Sequence, residues 1–586
     1  MEPKVRRGRD PAFFFFSKRF IIKIVIFLSS TGGILIIKSL PMEEISILIG
    51  GEAGDGTKLT GKLIGKILNQ IGYSVFIYDD YQSLIRGGHN FSIIRAKDKD
   101  VKIHQNDIDI LIALNQETID FHKKHLKKGG IIIYDSSNIE SQKGIGIKML
   151  EKVQKLGFPK VLRNAIALGA LCKILGIDFK VLEKVIKENL ETYQKENIKL
   201  AKFGFEEVEK KFELNKLSAK PKILLTGNEA IALGATKAGL EMYIAYPMTP
   251  ATSILHFLAK YKDEFGIQVV QPENEIAGIL MVEGAVYAGE RAMIGTSGGG
   301  FALMNEALSL AGMAELPILI VLSQRAAPST GVPTYTMQGD LLFAINAGHG
   351  EFQRIVVAPG DAEQAFYLTG ELLNLVWKFQ VPGILVSDKH LSESTFSVSL
   401  NVEKINKTSP KLFKGKKGYK RYLLTRDGVS PLAFPGQKNV TVKATSYEHD
   451  EYGITTEKPD EIVRMIDKRK RKKDAIIKEM KKGETVKIGG KKNSEKVLIT
   501  WGSNIGAVEE AADNLGYKVI QPLYLEPFPI WAIEKEIKSA KKIVDVETNS
   551  EGQLATILKC HGINVDKTIL KYDARPFTPK ELEKEL

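Results

Sequence analysis

Short, mainly apolar runs alternate with longer stretches of helical apolar periodicity along most of the chain after residue 42. The clearest runs are 45–49, 131–135, 268–271, 292–296, 317–322, 383–387, 497–501 and 542–546. Runs of this length, bounded by polar or glycine-rich turns, are typical of buried strands. Strands that alternate with helices form largely parallel sheets covered by helices. The pattern therefore predicts a multidomain α/β fold with a doubly wound parallel sheet in its central part.

The first 41 residues do not follow this pattern. A basic start precedes the apolar stretch 20–40, which lysines, serines and glycines interrupt. The uninterrupted apolar run 24–28 is far shorter than the roughly 20 residues of a membrane-spanning helix. Met42 stands directly before the first predicted strand, so the simplest interpretation is that translation begins at Met42. A membrane-associating tail is the alternative.

Changes in composition divide the rest of the chain. Segment 201–221 is charged and ends in Pro221, as interdomain linkers often do. Segment 396–490 is basic and rich in predicted loops. We therefore predict an extension (1–41), an N-terminal α/β domain (42–200), a linker (201–221), a central α/β domain (222–395), a basic connecting region (396–490) and a C-terminal α/β domain (491–586).

The densest basic run is 468–473, in which every residue is lysine or arginine. Because lysine and arginine are seldom buried, we predict that the run lies on a solvated helix face. The formal net charge is +13, of which the eight basic and two acidic residues of 1–41 contribute +6, leaving +7. This mild excess suits acidic ligands or an acidic partner. No basic stripe with interleaved aromatic residues indicates nucleic acid.

The chain has only two cysteines, Cys172 and Cys560, and they lie far apart. Two cysteines are too few to hold an iron–sulfur cluster without another chain. A disulfide framework is also excluded by this count. The cysteine content therefore predicts a reduced, cytoplasmic protein.

The most distinctive chemistry lies in the stretch 246–300. Pro247 and Pro250 fix the backbone between a strand and a helix, so Thr249 is presented on a stiff loop. Glu275 opens a helix of small apolar residues. A carboxylate in that position is either a helix N-terminal charge or a buried acid directed at a ligand.

This stretch resembles the pyrimidine-binding domain of the 2-oxoacid:ferredoxin oxidoreductases, which use thiamine diphosphate to cleave 2-oxoacids with coenzyme A and reduce ferredoxin. The motifs are Tyr-Pro-Met-Thr-Pro (246–250), Gln-Pro-Glu-Asn-Glu (271–275), Thr-Ser-Gly-Gly-Gly (296–300), Ser-Gln-Arg (323–325), Pro-Ser-Thr-Gly-Val-Pro-Thr (328–334) and Gln-Gly-Asp-Leu (338–341). Segments 83–90 and 163–169 resemble the γ domain of the same family, and 495–586 resembles the C-terminal domain of transketolase-like enzymes. The resemblance covers nearly everything after Met42.

The resemblance implies a catalytic carboxylate. In this family a carboxyl group hydrogen-bonds the pyrimidine ring of the cofactor, so that the cofactor's own aminopyrimidine can act as a base. Glu275 matches this position, with Glu273 as the nearby competitor. We favour Glu275 because the apolar helix follows it directly.

The resemblance also implies contacts to the substrate. A 2-oxoacid needs a cation and hydroxyl donors for its carboxylate and keto oxygen. Thr249 and Arg325 match the family's pattern and are the predicted contacts. Many relatives carry arginine where this chain has Tyr335. Tyrosine can donate one hydrogen bond but cannot hold a carboxylate in two, so Tyr335 leaves the substrate range open and argues against assuming 2-oxoglutarate.

In the same family the γ domain contributes to coenzyme A binding. A glycine turn that enters a helix N-terminus is suited to phosphate, because free backbone N–H groups point outward. The predicted nucleotide contacts are Gly51, Gly54, Gly56, Arg86, Gly87 and Gly88. A tight structural turn and a structural ion pair of Arg86 are the alternatives at these positions.

Two parts of the family's machinery are missing from this sequence. It has no usable Gly-Asp-Gly…Asn-Asn motif for diphosphate and Mg²⁺, and no cysteines for a [4Fe–4S] cluster. In the family both belong to the β subunit, so we predict no metal site in this chain. We expect a fused γ–α subunit that is active only with a β subunit, in one αβ unit or two, with thiamine diphosphate between the chains.

The predicted reaction converts a 2-oxoacid, coenzyme A and oxidised ferredoxin into acyl-coenzyme A, CO₂ and reduced ferredoxin, or runs in reverse. One alternative is a relative specific for arylpyruvates such as indolepyruvate. The other is a non-catalytic coenzyme A-binding or assembly subunit.

Overall fold

The computed structural model describes residues 43–83, 88–140, 143–415 and 417–586. The extension 1–41 lies outside the described residues, as do Arg86 and Gly87 of the predicted nucleotide site. The described chain folds around three β-sheets with helices between and around them. This confirms the predicted multidomain α/β class.

The first unit comprises the described residues between 43 and 222. Its strands are β1 (Glu44–Glu52), β2 (Ser74–Asp80), β3 (His89–Lys97), β4 (Ile108–Ala113), β5 (Leu126–Asp135) and β6 (Ile145–Ile147). Its helices are α1 (Thr57–Gln70), α2 (Gln116–His122), α3 (Met149–Lys155), α4 (Arg163–Ile174), α5 (Phe179–Asn189) and α6 (Gln194–Glu206). The sheet is mixed, because β1 pairs parallel with β4 and antiparallel with β3.

The second unit comprises residues 223–398. Its strands are β7 (Ile223–Thr226), β8 (Met242–Ile244), β9 (Gln268–Val270), β10 (Ala292–Thr296), β11 (Leu319–Gln324), β12 (Ile355–Val357), β13 (Gly383–Asp388) and β14 (Thr395–Val398). Its helices are α7 (Gly227–Lys237), α8 (Thr252–Lys260), α9 (Lys262–Phe265), α10 (Glu275–Ala288), α11 (Gly298–Leu303), α12 (Asn305–Met313), α13 (Leu341–Asn346), α14 (Ala362–Phe379) and α15 (Lys389–Glu393). Strands β12, β13, β11, β10, β8 and β9 form a parallel sheet in that order, as predicted.

The third unit comprises residues 486–586, after a connecting segment (399–485) that contains α16 (Pro459–Met480). Its strands are β15 (Val486–Gly490), β16 (Lys496–Thr500), β17 (Lys518–Pro522), β18 (Tyr524–Glu526), β19 (Lys542–Glu547) and β20 (Lys567–Leu570). Its helices are α17 (Ile505–Leu515), α18 (Ile530–Ile537), α19 (Gln553–Cys560) and α20 (Pro579–Glu585).

The three units are joined because strands of one unit pair with the sheet of another. Strands β14 and β7 of the second unit extend the sheet of the first, where β14 pairs antiparallel with β2. Strand β18 of the third unit pairs antiparallel with β12 of the second. One buried apolar cluster runs from Phe76 through Ile320 to Trp501. The active-site edge of the second unit is therefore held from both sides.

The predicted solvated face at 468–473 is wrong for half of its residues. Lys468 and Lys472 are buried, and both of their ammonium groups contact the carboxylate of Glu315, at 2.7 and 2.5 Å. Arg469 is also buried and pairs with Glu448. A basic run can be interior when a buried carboxylate from another segment faces it, and sequence spacing alone does not reveal such a partner.

Within the described part of the chain, no helix combines the length and the hydrophobicity that crossing a bilayer would require.

Candidate active site

The predicted substrate and cofactor residues follow the carboxyl ends of neighbouring parallel strands. Strand β10 pairs with β8 on one side and β11 on the other. Thr249 comes after β8, the glycine turn 298–300 after β10, and Arg325 directly after β11. Because ligands of parallel α/β sheets bind at this edge, the fold brings these residues to the expected place.

Glu275 is a buried carboxylate at the start of α10. Asn274 caps the helix, since its side chain accepts a hydrogen bond of 2.9 Å from the N–H of Ala277. Glu275 is only 3% exposed, and its Oε1 atom has no hydrogen-bond partner among the described residues. Its competitor Glu273 is exposed. Of the two carboxylates, Glu275 alone has the burial that a cofactor-directed acid needs.

Gly300 leaves the space that the Glu275 carboxyl group occupies. A Cβ atom on Gly300 would lie 2.6 Å from Glu275 Oε1 and 2.1 Å from the hydroxyl oxygen of Thr296. Any side chain at this position would displace the carboxyl group. The first turn of α11 is thus packed around Glu275, and this explains why the motif needs a glycine here.

Thr249 and Arg325 are in direct contact. The guanidinium of Arg325 donates a hydrogen bond of 2.9 Å to the backbone carbonyl of Thr249. The peptide bond between Thr249 and Pro250 is cis. Burial lowers the pKa of Arg325, and the carboxylate of Asp340 opposes that change. The structure therefore brings the two predicted substrate residues together at the strand edge.

Asp340 is a site residue that sequence reasoning missed. It precedes α13, and its Oδ2 atom lies 2.5 Å from where a Cβ on Gly298 would stand. Burial raises the pKa of Asp340 to about 6, although the charge of Arg325 acts against this rise. The Gln-Gly-Asp-Leu motif contained the signal, but the sequence does not show that its aspartate faces Arg325.

Several buried polar atoms at this edge have no partner in the described structure. Besides Glu275 Oε1, they include the hydroxyl oxygens of Ser297 and Thr334. Ser297 lies between β10 and α11. Thr334 lies on the loop after β11, next to Tyr335, whose carbonyl accepts a hydrogen bond from the N–H of Ala326. Buried polar groups are normally hydrogen-bonded, so such a concentration of unpaired groups indicates a place for a polar ligand.

Tyr335 contacts a residue of the first unit and a residue of the third unit. Its hydroxyl donates a hydrogen bond of 2.9 Å to Asp80 at the end of β2, and the Arg575 guanidinium lies 3.6 Å from its ring centre. Burial and the nearby Asp80 raise the pKa of Tyr335 to about 12. Tyr335 therefore joins all three units, and a contact between Tyr335 and substrate stays a prediction.

The glycine turn of the first unit leads into α1, as the sequence predicts. Gly51 belongs to strand β1, whereas Gly54 and Gly56 follow the strand and adopt positive φ angles of 92° and 74°. The carbonyl of Gly88 accepts a hydrogen bond from the N–H of Ala53, so the two predicted glycine segments adjoin. Nothing lies within 4 Å of a Cβ placed on Gly54. Their role in nucleotide binding stays a prediction.

An ion-pair network on the interior side holds the glycine turn between β1 and α1 in place. The carboxylate of Asp55 pairs with Arg163 at 2.9 Å and with Lys160 at 2.9 Å. Arg163 also contacts Asp135 at 3.1 Å. The acidic residue of the turn is therefore turned inward and neutralised, which leaves the outer surface of the turn to its backbone.

A second polar network fixes the segment before Asp340. Gln338 donates a hydrogen bond of 3.0 Å to Asp388 and accepts one of 2.7 Å from Asn504 of the third unit. Ser503 donates a hydrogen bond of 2.6 Å to the same Asp388. Gln553, on α19, donates one of 2.7 Å to the carbonyl of Gly339. The third unit thus positions the segment that carries Asp340.

One exposed apolar surface adjoins Glu275. We call it the α10–α11 face, and it consists of Ile276, Leu280, Met281 and Leu303, which are 45–51% exposed. Small residues, among them Gly284 and Gly299, lie between these side chains on the surface. Apolar side chains of this size are usually covered, so their exposure distinguishes this face from an ordinary solvated surface.

The parallel sheet, the buried carboxylate at α10 and the unpaired polar atoms together define the pyrimidine-binding half of a thiamine diphosphate enzyme. Comparison with known families agrees. The family described as pyruvate flavodoxin/ferredoxin oxidoreductase, thiamine diphosphate-binding, matches residues 233–468. The family described as pyruvate ferredoxin/flavodoxin oxidoreductase matches residues 46–207.

Similar proteins of known class cover almost the whole chain. The 2-oxoacid:ferredoxin oxidoreductase subunit alpha of Saccharolobus solfataricus is 32% identical, over 92% of this chain and 97% of the relative. The 2-oxoglutarate:ferredoxin oxidoreductase of Magnetococcus marinus, solved with 2-oxoglutarate, coenzyme A and succinyl-CoA bound, superposes with a TM-score of 0.86 at 31% identity, over 93% of this chain and 99% of that one. The chain therefore belongs to the α subunits of the 2-oxoacid:ferredoxin oxidoreductases, and it is part of an oxidoreductase.

Proposed function

We propose that this chain supplies the pyrimidine side of a thiamine diphosphate site and the coenzyme A side of a 2-oxoacid:ferredoxin oxidoreductase, and that a β subunit completes both. The observation that carries this proposal is Glu275, whose buried Oε1 atom has no hydrogen-bond partner among the described residues and lies where only glycine at position 300 leaves room for it. A buried acid without a partner is costly unless a ligand pairs with it.

The residues present fit thiamine diphosphate. Glu275 would hydrogen-bond the pyrimidine ring from an apolar helix start, where a proton shared with the ring is shielded from water. When bound, the cofactor supplies the carbon nucleophile that attacks the keto carbon of the substrate. The chain's own contribution is to hold that proton at Glu275 and to position the 2-oxoacid.

Arg325 and Thr249 would bind the 2-oxoacid. The contact between the Arg325 guanidinium and the Thr249 carbonyl fixes the cation at the strand edge and leaves its other N–H groups for a substrate oxygen. The Thr249 hydroxyl is a second donor beside it. Tyr335 remains a candidate contact only if its hydrogen bond to Asp80 opens.

The choice among 2-oxoacids is open between two readings. The relative from Magnetococcus marinus was solved with 2-oxoglutarate, and the 2-oxoglutarate synthase subunit KorA of Methanocaldococcus jannaschii is 32% identical over 61% of this chain and 98% of the relative. Tyr335, in contrast, carries no charge of its own for a distal carboxylate, and the cation beside its ring belongs to Arg575 of the third unit. A panel of pyruvate, 2-oxoglutarate and arylpyruvates distinguishes these readings.

The first unit would bind coenzyme A. The backbone of Gly54 and Gly56, with Gly51 and Gly88 beside it, forms an open turn at the N-terminus of a 14-residue helix. Such a turn suits a phosphate. Arg86 and Gly87, which precede Gly88, complete the predicted set. The bound coenzyme A of the Magnetococcus marinus relative supports this assignment.

The α10–α11 face is the proposed contact with the β subunit. It adjoins Glu275, so a chain seated on it would lie across the cofactor site. That chain would bring the diphosphate- and Mg²⁺-binding motif and the [4Fe–4S] cluster, which passes electrons to ferredoxin. Two cysteines in this chain cannot supply such a cluster.

The test is coexpression with a partner chain that carries those motifs, followed by 2-oxoacid- and coenzyme A-dependent reduction of a viologen dye. We expect activity in the wild-type complex and a loss of about 100-fold or more in Glu275→Gln, the scale of removing one acid–base group. Glu273→Gln is the matched control, because Glu273 is exposed two residues away.

A stable complex that binds thiamine diphosphate but turns over no 2-oxoacid would refute the proposed function. Equal losses of activity in Glu275→Gln and Glu273→Gln would refute the role of Glu275 but not the proposed function. Copurification without activity would favour the assembly-subunit alternative.

A further inference from the structure

Asp340 is an ionisable group at the active-site edge that the reaction scheme above does not use. Its carboxylate lies against Gly298, at the turn that also shapes the Glu275 site. No hydrogen bond or ion pair to either of its oxygens is found among the described residues. The guanidinium of Arg325 is close enough to affect its titration but makes no ion pair with it.

The backbone around Asp340 is held rigidly. Its N–H donates a hydrogen bond of 2.8 Å to the side chain of Gln324, and its carbonyl accepts one of 2.8 Å from Ala344. The preceding carbonyl, of Gly339, accepts a hydrogen bond from Gln553. A fixed backbone with a free carboxylate is the arrangement expected when a charge is directed at a ligand rather than used for folding.

We propose that Asp340 opposes the binding of the substrate carboxylate at Arg325 and so promotes its loss as CO₂. This inference rests on the proposed function, in which Arg325 binds the 2-oxoacid. A carboxylate bound there would lie near Asp340, because the N–H of Asp340 is bonded to the side chain of Gln324, the residue directly before Arg325. Like charges at close range weaken binding of the substrate.

The repulsion is relieved during the reaction. The bond between the carboxylate carbon and the keto carbon breaks, the bonding electron pair stays with the keto-carbon fragment, and CO₂ leaves without charge. The fragment later transfers two electrons to the iron–sulfur acceptor and its acyl group to the thiol of coenzyme A. Because the negative charge leaves the vicinity of Asp340 when the bond breaks, Asp340 destabilises the bound substrate more than the transition state.

The electrostatic surroundings of Asp340 agree with this role. Arg325 is the charged group of opposite sign, at the end of β11, and the carboxyl group of Glu275 packs against the same glycine segment 298–300, whereas Gln324 and Gln553 are uncharged. Burial raises its pKa to about 6 against the pull of Arg325. Asp340 is therefore ionised at neutral pH and becomes neutral in mildly acidic solution.

The experiment compares wild type and Asp340→Asn in the complex with the β subunit. Asparagine keeps the shape and removes the charge, so we expect KM for the 2-oxoacid and kcat to fall together, each by roughly ten-fold, the scale of one like-charge contact at a partly buried site. A role in holding Arg325 in place would instead raise KM. Asp263→Asn, on the exposed face of α9, is the matched control.

A binding measurement tests the same inference without turnover. Oxamate has the shape of a 2-oxoacid and is not decarboxylated, and calorimetry should show it binding roughly ten-fold more tightly to Asp340→Asn than to wild type at pH 7.5. Wild type should approach the affinity of the variant as the pH falls from about 7 to about 5, while the variant stays constant.

Two results would overturn the proposal. One is a higher KM or an unchanged oxamate affinity in Asp340→Asn while the wild-type complex is active. The other is an oxamate affinity in wild type that does not change between these pH values, which needs no variant. A wild-type complex that turns over no 2-oxoacid would instead count against the proposed function.

Discussion

The buried charge cluster at Glu315 allows the sharpest prediction about stability. Glu315 is 1% exposed, and its carboxylate contacts the ammonium groups of Lys468 at 2.7 and 2.8 Å and of Lys472 at 2.5 Å. Burial alone would raise the pKa of Glu315, but the two lysines outweigh it and hold the pKa well below its usual range. The perturbation is Glu315→Gln, which keeps the shape and removes the negative charge.

The expected cost follows from what the substitution leaves behind. Removing one partner of a buried ion pair costs about 3–5 kcal/mol, because the other charge stays buried without compensation. Burial beside Lys468 lowers the pKa of Lys472 to about 7 even with Glu315 present. Lys472 would therefore lose its proton in the variant, and its hydrogen bond of 2.8 Å to the carbonyl of Gln380 would remain. The uncompensated buried charge in the variant is therefore mainly that of Lys468, so we expect Glu315→Gln to lower the stability of α16 by about 3 kcal/mol.

The assay is native-state hydrogen exchange of the amides of α16, because the chain has several units and a global unfolding energy is poorly defined. At pH 7 we expect these amides to exchange roughly 100-fold faster in Glu315→Gln, the equivalent of about 3 kcal/mol. Raising the pH to 9 should recover part of the protection, since the buried lysines then lose their protons more readily than exposed ones.

The matched control is Lys470→Met, on the exposed face of the same helix, which should change exchange less than about three-fold. The double variant Glu315→Gln/Lys468→Met should recover stability relative to Glu315→Gln, because it removes the uncompensated charge. A change of less than about five-fold in Glu315→Gln would refute the reasoning, since the carboxylate would then contribute little to holding α16.

Two further substitutions test other parts of the structure. Gly300→Ala would place a Cβ 2.6 Å from Glu275 Oε1 and should lower activity by about 100-fold or more, whereas Gly483→Ala, where a Cβ would meet nothing closer than 3.8 Å, should not; equal activities would contradict the placement of Glu275. Burial, with the charge of Glu306, raises the pKa of Glu283 to about 8 from 4.5. The folded chain then binds more protons than the unfolded chain in this window, so its stability falls as the pH rises through it. Glu283→Gln should slow the native-state hydrogen exchange of the α10 amides at pH 9 by the equivalent of about 1–3 kcal/mol and should not slow it at pH 5; unchanged exchange at pH 9 would contradict this interpretation.

The strand positions could be predicted because local sequence determines them. The apolar runs 292–296 and 383–387 became β10 and β13, and run 317–322 became β11 two residues further on. The sequence favoured Glu275 over Glu273 because an apolar helix follows it directly, and the burial of Glu275 agrees with that choice, although its catalytic role stays a prediction. The structure adds that Gly300 and Glu275 are in contact, which no spacing along the chain shows.

Charges paired across long sequence distances could not be predicted in this way. Lys468 and Glu315 lie 153 positions apart, so the composition of the basic run favoured a solvated face. The location of Asp340 near Arg325 could not be predicted either, because it depends on how the loop after β11 folds back. A buried cation is recognisable only when the partner that compensates it is known.

Tyr335 shows why the substrate loop depends on the whole assembly of units. The loop between Arg325 and Asp340, which the structure describes throughout, contains no helix or named strand that could fix its conformation. Instead, Asp80 of the first unit accepts the Tyr335 hydroxyl hydrogen bond, and Asn504 of the third unit donates one to Gln338. The loop between Arg325 and Asp340 is thus held by contacts that form only when all three units are packed, whereas Arg325 itself is held within its own unit by β11 and by its hydrogen bond to the Thr249 carbonyl.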